Sequence, residues 1–159
     1  MHQLNKTLRE AGFDNIFTEI MHTESLGLIN PHQLRMYHLD LENNTFSFDG
    51  LHDLLLKNIG RYVFSRAKMD QFRLDEDHEI VGAKAIELVK KACNMDPQWI
   101  GEELGDIMLY VFLEQILGAP KLFSKIELTQ FGNQHTQNGG GVHLLPLGTI
   151  GTTPSYQMV

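Results

Sequence analysis

Only one cysteine, Cys93, occurs in the 159 residues. A disulfide within the chain and a cysteine-built zinc site are therefore excluded, and a reducing compartment fits. The lone thiol lies on an amphipathic stretch and reads most simply as a small core residue. Long apolar runs are also missing. None approaches the ~18 residues of a membrane span, so no membrane association is expected. The opening stretch MHQLNKTLREAG lacks the basic-then-apolar pattern of a secretory signal, and a cytoplasmic protein is expected. Positive charge is scarce: thirteen Lys and Arg against twenty Asp and Glu leave a formal net charge of −7. So acidic a chain is not a simple non-specific nucleic-acid binder. An enzyme acting on nucleic acid stays open, because metal-dependent nucleases gather carboxylates around divalent ions that bring the positive charge themselves. The eight histidines are scattered, no two in HxxxH spacing, and no zinc signature stands out.

What is present reads as a globular protein: 42% hydrophobic and 21% charged residues, in a length that suits one domain over 1–159. The expected class is α+β, with a β-rich lead-in, three main helices and the start of a mixed sheet. Residues 1–15 carry only a weak helical pattern. Phe17 to Met21 could be a strand, and Leu34 to Leu41 alternates well enough for another. Asn43-Asn44 is a turn signal before Thr45–Phe48, where Phe46 and Phe48 alternate with polar residues as on a strand with one buried face. From Leu51 to about Lys68 the apolar spacing predicts the first helix. Gly60 inside it costs about 1 kcal/mol against alanine and hints at close packing. A second helix is predicted from Asp77 to Cys93, with Ile80, Ala83, Ile86, Val89 and Ala92 as its apolar stripe. Asp96 is a plausible N-cap with Pro97 opening the third helix, which runs to about Leu117 before Gly118 and Pro120. Lys121 to Gln130 reads as a strand with Leu122, Ser124, Ile126 and Leu128 on one side and Lys121, Phe123, Lys125 and Glu127 on the other. Val142 to Leu147 is a further strand, GTIGTTP a turn, and Ser155–Val159 half a strand. Since SYQMV alternates and then stops, the chain is expected to end inside an element. The open sheet edge this would leave predicts self-association.

The third helix carries the chemistry. Ile107 to Leu113 (IMLYVFL) has neither charge nor breaker, yet Glu102, Glu103 and Asp106 stand at its entrance. Glu103 and Asp106 are three apart and share a face; Leu104, Ile107, Met108 and Val111 mark another as core. Acids at the mouth of a buried helix either complement the helix dipole or belong to a site.

The stretches GEELGDIMLY, LEQILGAPKLFSKIEL and GGGVHLLPLG, with Tyr62–Arg66 upstream, resemble the C-terminal nuclease-like domain of the HamA family of the Hachiman anti-phage system. The resemblance covers most of residues 50–159 and is thin before that. Its pattern Glu-x-Gly-Glu/Asp falls on Glu103 to Asp106, its Ser-Lys strand start on Ser124-Lys125, and its glycine-rich turn ending in His on Asn138 to His143. The resemblance implies a PD-(D/E)xK nuclease, in which Mg2+ neutralises the phosphate and activates water. It implies Glu103, Lys125 and His143 as catalytic residues, Glu103 and Asp106 as metal ligands, DNA as substrate and a helicase subunit as partner. Two departures bear on activity. Gly140 stands where the pattern has a metal-binding aspartate, and the Glu-x-Lys strand expected after SYQMV is not reached. A chain without cleavage activity is therefore expected, either as an inactive nuclease-like effector or as a non-catalytic partner-binding or regulatory module. Outside the resemblance, each residue also has a structural reading. Glu103 could offset the helix dipole, Asp106 could pair with Lys125 or Arg66, Lys125 could guard a sheet edge, and His143 could bond backbone. Glycines 139–141 could form a phosphate-binding nest of N–H groups or a flexible loop.

Overall fold

A computed structural model describes residues 5–8, 12–21, 34–92, 97–124, 141–150 and 153–158. Two compact units divide the chain: Glu10–Leu54, and Met1–Arg9 together with Leu55–Val159. Cys93, Asp96, Lys125 and Gly140 lie outside the described residues.

In the first unit Gly12 takes φ 86°, a left-handed conformation that glycine adopts without cost, and leads into a 3₁₀ turn over Phe13–Asn15. Strand β1 (Phe17–Ile20) pairs antiparallel with β2 (Met36–Leu39), Phe17 opposite Leu39 and Ile20 opposite Met36. Phe13, Ile16 and Phe17 are buried. The Phe13 ring centroid is 4.8 Å from that of Phe17 and stands edge-on to Tyr37 at 6.0 Å. The strand expected over 34–41 breaks at Asp40. Its N–H donates to the Ile16 carbonyl and its carbonyl accepts from Ser47. Beyond the break, β3 (Leu41–Glu42) and β4 (Thr45–Phe46) form a hairpin. Asn43 and Asn44 there have φ 52° and 62°, the paired positive values of a type I′ turn. Phe46 and Phe48 have no buried face, contrary to expectation. Both are exposed, and their rings meet edge to face at 6.5 Å.

Helix α1 spans Asp49–Val63, and the boundary between the units falls within it. In the second unit follow α2 (Arg66–Leu74), α3 (Val81–Ala92, after a 3₁₀ turn at His78–Ile80) and α4 (Pro97–Gln115). The described residues thus hold four helices where the apolar pattern suggests three. The expected helix over 51–68 is cut by Ser65, whose backbone is extended and whose hydroxyl accepts the Lys68 N–H at 3.2 Å. That is an N-cap, and it starts a helix that spacing alone merges with its neighbour. Gly60 earns its place in α1: a Cβ there would lie 2.5 Å from Val81 Cγ1. In α3 the buried positions are Val81 and Ala85, and Ala83 of the expected stripe is exposed.

Strands β5 (Lys121–Ser124), β6 (Gly141–Ile150) and β7 (Thr153–Met158) form a sheet of order β5-β6-β7. The α+β class holds. The sheet, expected to be mixed, is antiparallel at both pairings among the described residues. A register shift sits between Pro146 and Gly148 in β6, where proline has no N–H to give to the ladder. No helix among the described residues is long and apolar enough to cross a membrane.

Candidate functional site

The inner face of α4 is not the expected apolar one. Its buried positions are Glu103, Ile107, Tyr110, Val111 and Glu114, which follow helical spacing, while Leu104 and Leu109 are exposed. Glu103 is 5% exposed and accepts a hydrogen bond from the Tyr62 hydroxyl at 2.9 Å. Asp106, three residues on, is half-buried. The ring of Tyr110 stands 5.9 Å from that of Tyr62 and 6.0 Å from the imidazole of His143. Burial first, and the charge of Glu114 second, push the Tyr110 phenol well above its ordinary value. His143, opposite Lys121 in the β5–β6 ladder, is 1% exposed with Nδ1 2.8 Å from the Ala119 carbonyl. A carbonyl only accepts, so Nδ1 carries the proton. Desolvation lowers the His143 pKa against the opposing pull of that bond and of Glu114, which keeps the ring neutral.

Sequence patterning passed over the two most engaged charges. Glu114 is fully buried. Oε2 accepts the N–H groups of Thr7 and Leu8, each at 2.6 Å, and Oε1 accepts the Thr7 hydroxyl and the Lys121 N–H. Both oxygens are saturated, and the segment 5–8 is held against α4. Lys121 is 1% exposed. Its ammonium donates to the carbonyls of Arg61, Tyr62 and Phe64 at 2.6, 2.7 and 3.0 Å, using all three protons. Ser124 Oγ donates to Val63 at 2.8 Å. Together they satisfy the carbonyls that a helix C-terminus leaves open, with a positive charge at its negative end. Strict alternation placed Lys121 and Ser124 on opposite sides of a strand. A register shift between Lys121 and Phe123 turns both inward and leaves Phe123 exposed. The readable signal for Glu114 was an acid within a breaker-free apolar helix, which stays only if paired.

Glu103 through Asp106 on α4, Ser124 ending β5 and His143 on β6 thus fall into one unit, in the order of the resemblance noted above. A family model described as HamA matches residues 14–159. The chain belongs to the HamA family. It is accordingly a Hachiman-type anti-phage defence protein. The match reaches back through the first unit, where the sequence resemblance was thin. No curated protein and no solved structure matches the chain.

In this HamA chain no three His, Cys, Asp or Glu side chains among the described residues stand close enough to hold a metal ion. Glu114 has every lone pair taken, and Glu103 gives one oxygen to Tyr62. Arg66 is bonded to the carbonyls of Lys121 and Asn5. Glu103 and His143 stand at the two ends of the ring series through Tyr62 and Tyr110, while Lys125 lies outside the described residues.

Proposed function

We propose that this HamA family chain serves anti-phage defence as a cytoplasmic, nuclease-like subunit that works on DNA beside a helicase partner and does not itself cut. The reading is carried by Glu103: an acid at the place the nuclease resemblance assigns, buried on the inner face of α4 and oriented by Tyr62. The loss of cleavage rests on Gly140, which stands where the resemblance has an aspartate and has no side chain to ligate Mg2+. A magnesium-dependent DNA cleavage assay with the helicase subunit present tests this, using the chain, Gly140→Asp, and Gly140→Asp combined with Glu103→Gln. The expected outcome is a silent chain, with magnesium binding gained by Gly140→Asp and lost again with Glu103→Gln. Cutting by the unchanged chain would overturn the inactive assignment. Failure of Gly140→Asp to bind magnesium would overturn the nuclease lineage.

The saturated Glu114 and Lys121 favour a second reading, a non-catalytic module that keeps the scaffold for a partner surface. Co-elution with the helicase, unaffected by Glu103→Gln, is its expected signature.

A further inference from the structure

The scarce positive charge is concentrated. Five of the thirteen lysines and arginines line two cavities, against one of the twenty acids, Asp70. The larger cavity, about 470 Å³, has Lys6, Arg61, Arg66, Arg73 and His78 in its walls, and Phe64 and Met69 as apolar surface. The smaller, about 240 Å³, shares Arg61, Met69 and His78 with it and adds Lys57 and Val81. The shared walls make the two adjoining parts of one recess. A concave surface in which one sign of charge predominates focuses field and draws anions, here in a molecule of net charge −7.

Shape selects among anions. The larger volume falls within that of pockets for small ligands, roughly 300–1,000 Å³, and the smaller just below it, whereas a duplex backbone runs along an open groove. The cations are also prepared. Arg66 spends Nε and one Nη2 proton on the carbonyls of Lys121 and Asn5. Those bonds fix the guanidinium without cancelling its charge, and a fixed guanidinium fork suits phosphate. Arg73 pairs with Asp70 at 2.7 Å, but both side chains are largely exposed, so that pair exchanges readily for a stronger anion.

We propose that this recess binds a small organic phosphate of the nucleoside di- or triphosphate class. The phosphates sit among Arg61, Arg66 and Arg73, and the nucleoside reaches toward Met69 and Val81. Lys6 and Thr7 form part of the wall, and Thr7 is bonded to Glu114. A bound phosphate therefore bridges the segment 5–8 to α1 and α2. The proposal goes beyond the nuclease reading and does not depend on it.

Calorimetric titration of the full chain with ADP, pyrophosphate and adenosine tests it. ADP is expected to bind, more weakly as salt rises; pyrophosphate to compete; adenosine to give no heat. Arg61→Gln with Arg73→Gln is expected to weaken ADP at least about tenfold, the cost of one charge-assisted contact. Lys91→Gln, which removes a surface cation of α3 paired with Glu87, should bind as the unchanged chain does. Arg73→Gln alone, at an exposed position, gives a second reading if the double variant does not fold, with a loss of roughly threefold or more expected. Absence of heat with both ADP and pyrophosphate at millimolar concentration overturns the proposal, as does ADP binding indifferent to the arginine variants. If ADP fails while a short DNA duplex binds and loses affinity on Arg61→Gln/Arg73→Gln, the recess belongs to a nucleic-acid path and the proposal falls.

Discussion

Glu114 and Glu103 share one face of α4 but carry different loads. Glu114 accepts four donors, at least one of them at each oxygen a backbone N–H that can only donate, so Glu114→Gln turns an amide N–H₂ toward a group that cannot accept it. A buried donor left unmet costs about 1–3 kcal/mol, more when its partner was charged. The expected loss of unfolding free energy is ~3 kcal/mol, read from urea titration. Glu103→Gln keeps an oxygen for the Tyr62 hydroxyl and is expected to cost ~1 kcal/mol or less. Equal losses for the two would refute the assignment of Glu114 as the anchor. His143 sets a pH dependence. Its pKa in the folded protein lies below the ordinary 6.5 because burial disfavours the charged ring, so the unfolded chain binds the extra proton first. Its contribution is fully present above about 6.5 and is lost as pH falls through the lower folded value. His143→Asn, which retains an N–H for Ala119, should flatten the stability profile on that acid side. An unchanged acid slope would assign the dependence to other groups.

Among the elements, α1 and α3 meet at one crowded point. Alanine is the better helix former by roughly 1 kcal/mol. At Gly60, however, the added carbon would lie 2.5 Å from Val81 Cγ1, on a β-branched side chain with little freedom to move. Overpacking of this kind costs about 1–3 kcal/mol. Gly60→Ala is therefore expected to lower stability despite its propensity, and Val81→Ala in the same chain to recover part of the loss. The double-mutant cycle measures that coupling, and additive effects would exclude the clash. Gly60 is also where the sequence was most legible, since a glycine inside a helical pattern has few reasons other than close approach. The Asn43-Asn44 turn was equally plain, because two successive positive φ angles favour asparagine and glycine. Ser65 was not. A cap inside an apolar run leaves the periodicity almost intact, so nothing in the spacing marks the break. The inward turn of Lys121 and Ser124 depends on a register shift that only the pairing with β6 reveals, and period-two reading cannot anticipate it.

For the whole molecule, the apolar spacing and alternation made the α+β class readable, and the order of motifs pointed to the family. What stayed hidden was how the charges are distributed. A net value of −7 describes the chain and says nothing of a recess that collects five cations. The burial of Glu103 on the inner face of α4 was likewise not readable from its place at the helix entrance. The sheet also bears on behaviour in solution. Among the described residues, strand β7 of the β5-β6-β7 sheet pairs with β6 alone, and Leu147 and Met158 are exposed. An unpaired strand edge with apolar neighbours invites pairing with another chain. Light scattering over a concentration series is expected to show self-association, and a monomer throughout would exclude it.

Lys121 closes the end of a helix made some sixty residues earlier (|i−j| 57 to 60), and Glu114 receives a segment made more than a hundred residues before it. During synthesis α1 therefore emerges with its last carbonyls open to water, and Thr7 and Leu8 lack their Glu114 acceptor until α4 follows them out. Such distant closures must wait for the chain and slow its assembly. Residues made early are thus placed late, and until then their neighbours are available to whatever else stands at the ribosome exit.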